Sequence, residues 1–292
     1  MTAEPAAAPV VITEPGVYEI SNLDYHADPV PGGSLSSTGA RKLLEPSCPA
    51  LFQYERQHPP ESTRAFDTGH AVHDAILGGG PEIVRVDADN WMTKSAKVQR
   101  DEIRARGAVP ILAHEHDVVL AMVASVRAHP IAGRLFEPGT GQAEASLFWT
   151  DERTGVHRRA RLDWLPEQTG RRLIIPDLKT CKSAQRDEFA RSAMSYGYHQ
   201  QGPYYLDGVT ALELGERPVF VFVAVEKTPP YLVNVIQLDH TATAIGALLN
   251  RRAIDIYAEC DRTGIWPGYS ADVEIASLPA WYERRYEQDL QS

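Results

Sequence analysis

The central third of the chain alternates apolar and polar residues with a period of two, which is typical of β-strands that bury one face. The alternation covers 143–150, 157–165 and 171–180, and glycine-containing turns separate these segments. Two more apolar segments, 217–226 and 231–238, flank a Pro-Pro turn. The pattern therefore predicts three consecutive strands and, after a helix, two further strands.

Apolar residues recur at helical spacing on both sides of these strands. Short strands are expected just after residue 15 and at 82–86. The pattern predicts helices in seven places: two within 34–57 that are split by Pro46 and Pro49, one after Asp67, and others at 94–106, 111–135 (bent near Pro130), 186–211 and 240–263. This order predicts a mixed sheet flanked by helices, of α/β or α+β class. Residues 16–292 contain no internal linker and are expected to form one domain, preceded by a disordered Ala/Pro-rich tail at 1–15.

The composition, with 43% hydrophobic and 23% charged residues, is that of a globular protein. The apolar run 219–225 is far too short to cross a membrane, and the N-terminus lacks the basic segment of a secretory signal. Three scattered cysteines, Cys48, Cys181 and Cys260, form no zinc-binding pair. These features predict a cytoplasmic protein without a membrane partner.

Charge is unevenly distributed along the chain. The formal net charge is −10, which argues weakly against a nucleic-acid partner. Residues 153–191 nevertheless carry ten Arg/Lys and five Asp/Glu, so this segment has a charge of +5 and the remainder −15. Such a basic segment is compatible with a phosphate-facing groove and equally with a solvated hairpin, and charge alone does not choose between them.

Two acids and a lysine stand out at the strand ends. Asp177 and Lys179 are two residues apart on one strand, so their side chains project from the same face. Gly170 lies seven residues after Asp163 and seven before Asp177. A turn centred on Gly170 would place the two aspartates opposite each other, where a divalent metal would relieve their repulsion. The simpler interpretation is an ordinary strand-end ion pair beside an unrelated acid.

The order of Asp163, a turn and an apolar strand ending in Asp177-Leu-Lys179 resembles the PD-(D/E)xK nuclease core. "GHAVH" (69–73) and "QGPYY" (201–205) resemble motifs of its RecB branch. The segments 25–54 and 222–239 resemble the nuclease domain of RecE-like (exonuclease VIII-type) proteins, and the resemblance as a whole runs over residues 16 to 288. The resemblance implies catalytic roles for Asp163, Asp177 and Lys179. It implies metal binding by His73, Asp163, Asp177, Glu144 and the Leu178 carbonyl, and DNA or lysine contacts for Gln201 and Tyr205.

Some of these assignments have open alternatives. Gln200 and Tyr204 have the same spacing as Gln201 and Tyr205, so the register of that motif is undecided. His73 could be a satisfied core histidine, and Glu144 an ordinary edge-strand acid. Arg158, Arg159 and Arg161 suit phosphate contacts, which position a duplex without reading its sequence, but solvated hairpin charge explains them as well.

The resemblance implies a Mg²⁺- or Mn²⁺-dependent exonuclease that degrades linear duplex DNA from its ends, 5′→3′. It also implies a phage or prophage setting in a bacterial host cell, an annealing protein that receives the 3′ single strand, and a ring-like homo-oligomer. No iron–sulfur cluster is expected, because Cys260 stands alone near the C-terminus. No P-loop is present in the sequence.

Two other functions remain open from the sequence. "HAVHD" (70–74) contains the His-Asp pair of HD-type phosphohydrolases, although that fold is all-helical and the middle of this chain is rich in strand signals. The other alternative is a DNA-end-binding recombination subunit that keeps the nuclease fold without catalysis. The intact set of Asp163, Asp177 and Lys179 favours an enzyme over this alternative.

Overall fold

A computed structural model of the chain describes residues 10–58, 68–78, 82–168 and 172–290. Its strands are β1 (Gly16–Tyr18), β2 (Leu35–Ser36), β3 (Ile83–Val86), β4 (Val109–Leu112), β5 (Gly141–Thr150), β6 (His157–Pro166), β7 (Ile174–Cys181), β8 (Val219–Glu226) and β9 (Val233–Ile236). Its helices are α1 (Asn22–His26), α2 (Ser37–Lys42), α3 (Pro49–Gln57), α4 (Thr68–Leu77), α5 (Lys94–Ala105), α6 (Ala113–Ala128), α7 (Ala132–Leu135), α8 (Arg186–Tyr196), α9 (Tyr198–Ala211), α10 (His240–Thr263), α11 (Ala280–Glu283) and α12 (Glu287–Leu290).

The strands form mixed sheets, which confirms the predicted fold class. One sheet has the order β1-β5-β6-β2, in which only the β6–β2 pair is parallel. Another has the order β7-β8-β9, with β7 parallel and β9 antiparallel to β8. Strands β3 and β4 pair in parallel as a separate ribbon.

Strand β8 shows why the fold needs helices on both faces of its sheet. Val219 to Val225 are all buried, as expected for an unbroken apolar run. Phe220 and Phe222 join a core with α9 and α10, whereas Val223 and Val225 join a second core with α4 and α6. The alternation of a strand thus supplies two hydrophobic cores, one on each side.

Several helices begin where side chains satisfy their first free N–H groups. The Ser36 hydroxyl accepts from Gly39 N–H at the start of α2, and Asp239 accepts from Ala242 N–H at the start of α10. Gln185 accepts from two N–H groups at the start of α8. These residues act as N-caps, which fixes where the helices begin.

The structure corrects two of the predicted helices. The segment 111–135 begins as the end of β4, and its helix divides into α6 and α7 around Pro130, close to the predicted bend. The predicted helix 186–211 is two helices, because Gly197 adopts a left-handed conformation with φ of 72° between α8 and α9. This break positions the start of α9 beside the site described below.

The beginning of the chain and the pairing of β6 with β7 also differ from the prediction. Within the predicted tail, residues 1–9 lie outside the described residues, but Ile12 is 3% exposed and its N–H donates to the Pro29 carbonyl. Ordered structure therefore starts before residue 16. Gly170 also lies outside the described residues, and β6 and β7 share no regular ladder in the part of the chain that is described.

None of the helices in the described ranges combines the length and the apolar character needed to span a bilayer.

Candidate metal and catalytic site

His73 on α4 joins two acids from the β5–β6 pair. Its Nε2 lies 3.0 Å from Asp163 Oδ1, and its Nδ1 lies 3.2 Å from Glu144 Oε1. One ligand atom from each of these three residues lies within 4.8 Å of the others, so the group could hold a metal ion. The structure thus brings together three of the predicted ligands.

The position of Glu144 follows from strand register and an unusual backbone. Ala143 pairs with Trp164 and Ala145 with Leu162, so Glu144 stands across from Asp163. Glu144 has φ of 53°, the left-handed region that non-glycine residues rarely occupy. Because such strain costs on the order of 1 kcal/mol and concentrates at functional sites, it supports a specific role for this side chain.

Arg161 holds the other oxygen of the Glu144 carboxylate. Its Nε donates to Glu144 Oε2, and its Nη1 reaches the Ile20 carbonyl at 3.1 Å and Ser146 Oγ at 3.2 Å. Glu144 therefore has one oxygen committed to Arg161 and the other directed to His73. This arrangement fixes the orientation of the carboxylate before any cation binds.

Asp177 and Lys179 form a largely buried ion pair within β7. Asp177 is 1% exposed, and its Oδ2 contacts the Lys179 ammonium. The other oxygen, Oδ1, accepts a hydrogen bond of 2.6 Å from Gln201 Nε2. The Asp177 carboxylate is thus held from both sides, one partner on its own strand and one on α9.

Burial and neighbouring charges shift the pKa values of Asp177, Asp163 and His73. Burial, together with the charge of Asp163, raises the pKa of Asp177 to about 6, while Lys179 opposes the rise. Burial opposes charging of Asp163, but His73 outweighs it and the pKa of Asp163 is lowered. Burial likewise opposes protonation of His73, but the charge and hydrogen bond of Asp163 raise the pKa of His73 to about 11.

A backbone hydrogen bond links the two acidic strands. Leu178 N–H donates to Asp163 Oδ2 at 2.7 Å, so the Asp163 side chain replaces the expected ladder between β6 and β7. Asp163 therefore lies close to the strand that carries Asp177, as predicted. The hydrogen bond between the Asp163 side chain and Leu178 N–H makes this contact, not the backbone pairing of a regular hairpin. Since the N–H and C=O of a strand residue point to the same side, the Leu178 carbonyl also faces this edge.

The Gln-x-x-x-Tyr motif on α9 has two possible registers, and only one of them places its side chains at the site. Gln201 donates to Asp177 and also hydrogen-bonds the half-buried Tyr205. The Tyr204 hydroxyl instead donates to the Leu35 carbonyl inside the core. Gln200 is 8% exposed. Gln201 and Tyr205 are therefore the pair at the site, and their contact with DNA stays a prediction.

Sequence reasoning missed one residue at this site, Tyr198. Its ring centroid lies 5.1 Å from Lys179 Nζ, close enough for a cation–π contact. Tyr198 precedes Gln201 by three residues, which places the two side chains on one face of α9. That spacing could have identified it once Gln201 was a candidate.

The three predicted phosphate-binding arginines lie inside the protein. Arg158 is 3% exposed, contacts the rings of both Trp149 and Tyr204, and pairs with Asp207 at 3.1 Å. Its burial argues against a phosphate contact. Arg159 pairs with Asp28 and Arg161 with Glu144, and both side chains are largely buried. These contacts give the arginines internal roles, and a DNA contact for Arg159 or Arg161 stays a prediction.

The donor set suits a hard divalent cation. Asp163 and Glu144 offer carboxylate oxygens, His73 offers an imidazole nitrogen, and Asp177 and the Leu178 carbonyl lie on the adjacent strand. Mg²⁺ and Mn²⁺ prefer such oxygen-rich sites, and imidazole is compatible with Mn²⁺. The residues present therefore fit the predicted metal, although its identity is a proposal.

A mixed sheet that brings two acids, a lysine and a histidine together is the arrangement that the PD-(D/E)xK resemblance implied. The sequence matches the family described as "PDDEXK-like domain of unknown function (DUF3799)" over residues 36–279. The chain belongs to this family.

One solved structure shows the same fold. A crystal structure from Eubacterium rectale, named "Putative exonuclease", is similar with a TM-score of 0.57 and 13% sequence identity. The similarity covers 92% of this chain and 99% of that chain. At 13% identity, this similarity shows that the two chains share a fold and shows nothing about activity. No curated protein matches the sequence.

Proposed function

We propose that the protein is a metal-dependent nuclease that hydrolyses phosphodiester bonds of linear double-stranded DNA. The observation that carries the proposal is the convergence of His73, Glu144 and Asp163 beside the buried Asp177–Lys179 pair. Family membership supports a nuclease fold, and this convergence supplies the polar groups that phosphodiester hydrolysis requires.

Each side chain of the site has a separate role in the proposed hydrolysis. A bound divalent cation supplies Lewis-acid polarisation of a phosphoryl oxygen and makes water more acidic. Asp163, Asp177, His73 and Glu144 would hold the cation, and Arg161 keeps Glu144 oriented. Gln201 fixes the Asp177 carboxylate, which in turn positions the Lys179 ammonium. Lys179 would orient the attacking water or offset negative charge on the phosphorus oxygens.

The finer features of the proposal are supported by the resemblance to RecE-like nucleases. On that basis we propose attack at duplex ends in the 5′→3′ direction, Mg²⁺ or Mn²⁺ as cofactor, and delivery of the 3′ strand to an annealing protein. A ring-like homo-oligomer and a place in the cytoplasm of a bacterial host, with a phage or prophage origin, belong to the same proposal.

A time course on labelled DNA tests the requirement for DNA ends, the polarity and the metal dependence together. Linear duplexes labelled at the 5′ or 3′ ends, and closed circles, are incubated with the protein with and without Mg²⁺. The proposal predicts early loss of the 5′ label from linear duplex only when Mg²⁺ is present, and intact circles. Cleavage of circles would replace the exonuclease with an endonuclease, and early loss of the 3′ label would reverse the polarity.

The time course also separates the alternatives. Metal binding measured by calorimetry, with no cleavage of any DNA end in the time course, would support the non-catalytic end-binding subunit instead. The HD-type phosphohydrolase is all-helical, whereas this chain has mixed sheets and belongs to a PDDEXK-like family. The fold therefore removes the structural basis for that alternative.

A further inference from the structure

Arg41, in the last turn of α2, is a half-buried guanidinium that lacks an anion. Its Nη2 donates a single hydrogen bond of 3.3 Å to Thr38 Oγ1. Its Nε is shielded from solvent and has no hydrogen-bond partner. In the described ranges no carboxylate lies within ion-pair distance of Arg41.

The other guanidinium groups of similar burial in the described part of the chain differ from Arg41, because each of them contacts a carboxylate or a backbone carbonyl. Those groups and their acceptors are Arg100 with Asp101, Arg127 with the Phe136 and Ile76 carbonyls, Arg158 with Asp207, Arg159 with Asp28, Arg161 with Glu144, and Arg251 with Asp151. The next residue, Lys42, pairs with Glu55. Because burying a charge without a partner is costly, Arg41 is the position where an anion from outside the chain would be stabilising.

The same guanidinium crosses the turn that leads into the catalytic site. A Cβ at Gly197 would lie 2.3 Å from Arg41 Cδ and 2.7 Å from its Nη1, so a larger residue at 197 would displace the Arg41 side chain from this position. The residue after Gly197 is Tyr198, whose ring lies over Lys179, and Gln201 in the next turn donates to Asp177. Arg41 therefore lies against the segment that positions the catalytic pair.

We propose that Arg41 binds a backbone phosphate of the nucleic-acid substrate, beside the phosphate held for hydrolysis at Asp163 and Asp177. This inference rests on the proposed nuclease function and adds a substrate contact to the same site. The planar guanidinium can give two parallel hydrogen bonds to phosphate oxygens, which a lysine cannot reproduce. Phosphate binding would also supply the missing counter-charge.

A purely structural role for Arg41 predicts different behaviour. A cation in the last turn of a helix interacts favourably with the helix dipole, which stabilises the fold without contacting DNA. Removing such a cation would lower the melting temperature but leave the salt dependence of DNA binding unchanged. The two roles therefore differ in a measurable quantity.

The experiment measures binding of a short duplex by fluorescence anisotropy at several KCl concentrations, with Ca²⁺ in place of Mg²⁺. The full chain is compared with Arg41→Ala, Arg41→Lys and the control Lys42→Ala, which removes the neighbouring charge on the same helix. We expect Arg41→Ala to weaken binding about tenfold or more and to make the slope of log K against log [salt] shallower by about one. Arg41→Lys should restore the slope but not the full affinity, and Lys42→Ala should resemble the full chain.

A second arm locates the contact. Duplexes that carry one neutral methylphosphonate are tested with the methylphosphonate at successive positions. At a single position near the scissile bond, the full chain and Arg41→Ala should bind with equal affinity, because the phosphate charge that Arg41 contacts is missing. An Arg41→Ala protein with unchanged affinity and salt slope would overturn the contact while leaving the nuclease proposal intact. A full chain that neither binds nor cleaves DNA would overturn both.

Discussion

At the scale of single residues, the site depends on charges that neutralise one another before any cation binds. His73 separates the carboxylates of Glu144 and Asp163, and Lys179 lies against Asp177. Removing one member leaves a buried charge without its partner, which is costlier than removing an exposed charge. Variants at these positions therefore need controls at exposed residues nearby.

His73 supplies the first test at this scale. His73→Ala removes a nitrogen ligand from the group of three, and we expect Mn²⁺ affinity measured by calorimetry to fall by at least about tenfold. His70→Ala is the matched control, since His70 is exposed and lies on the same helix three residues earlier. Equal Mn²⁺ affinity in the two variants would remove His73 from the ligand set.

Asp151 gives a prediction about pH. Burial opposes its ionisation, but hydrogen bonds from Arg251 and Thr154 lower the pKa of the Asp151 carboxyl. A lowered pKa in the folded state stabilises the protein above the unfolded value of about 4, and this contribution is lost as pH falls through the folded pKa. Asp151→Asn should therefore cost roughly 1–3 kcal/mol near pH 7, and the difference from the full chain should shrink below about pH 4.

Urea unfolding at several pH values measures this difference. Asp187→Asn is the control, because Asp187 pairs with Arg186 at the exposed start of α8 and its removal should change stability much less than removal of the buried Asp151 carboxylate. A cost for Asp151→Asn that stayed constant down to pH 2 would show that the interaction does not depend on the ionised carboxylate.

At the scale of elements, the close packing of α9 against α10 supports the helix that carries Gln201. Gly246 on α10 lies so near α9 that an added Cβ would be 1.6 Å from the His199 carbonyl oxygen. Since His199 is two residues from Gln201, any adjustment of α10 acts close to the site. Glycine is unfavourable inside a helix, so its presence here reflects the approach of the two backbones.

Gly246→Ala should consequently destabilise the protein, although alanine is the better helix former. Overpacking of this kind costs roughly 1–3 kcal/mol and outweighs the gain in helix propensity of about 1 kcal/mol. Gly268→Ala is the control, since nothing lies within 4 Å of a Cβ at that position. A higher melting temperature for Gly246→Ala would mean that α9 and α10 can move apart without loss of stability, which would contradict this prediction.

The elements also show what the sequence could and could not predict. Period-two alternation identified β5, β6 and β7, and the unbroken apolar run identified β8, because burial alone sets those patterns. The break at Gly197 was missed because a single glycine inside a helical pattern is often tolerated. The resemblance indicated His73, and the spacing from Gln201 could have indicated Tyr198, whereas the internal pairing of Arg158 with Asp207 depends on contact between distant segments.

At the scale of the whole molecule, the uneven charge has an internal explanation. The basic segment 153–191 supplies arginines whose counter-charges come from other parts of the chain. Arg159 pairs with Asp28, Arg158 with Asp207, and Arg153 with Asp255. The segment is therefore in part a structural ion-pair network, so its charge is weak support for a phosphate-facing groove.

The most direct test of the central claim is Mg²⁺-dependent hydrolysis of linear duplex DNA by the full chain, Lys179→Ala and Lys182→Ala. Lys182 is an exposed lysine three residues from Lys179 and serves as the control. The account predicts that Lys179→Ala stays folded but loses at least about 100-fold in rate, while Lys182→Ala cleaves as fast as the full chain. A folded Lys179→Ala protein that cleaves at the full rate would contradict it.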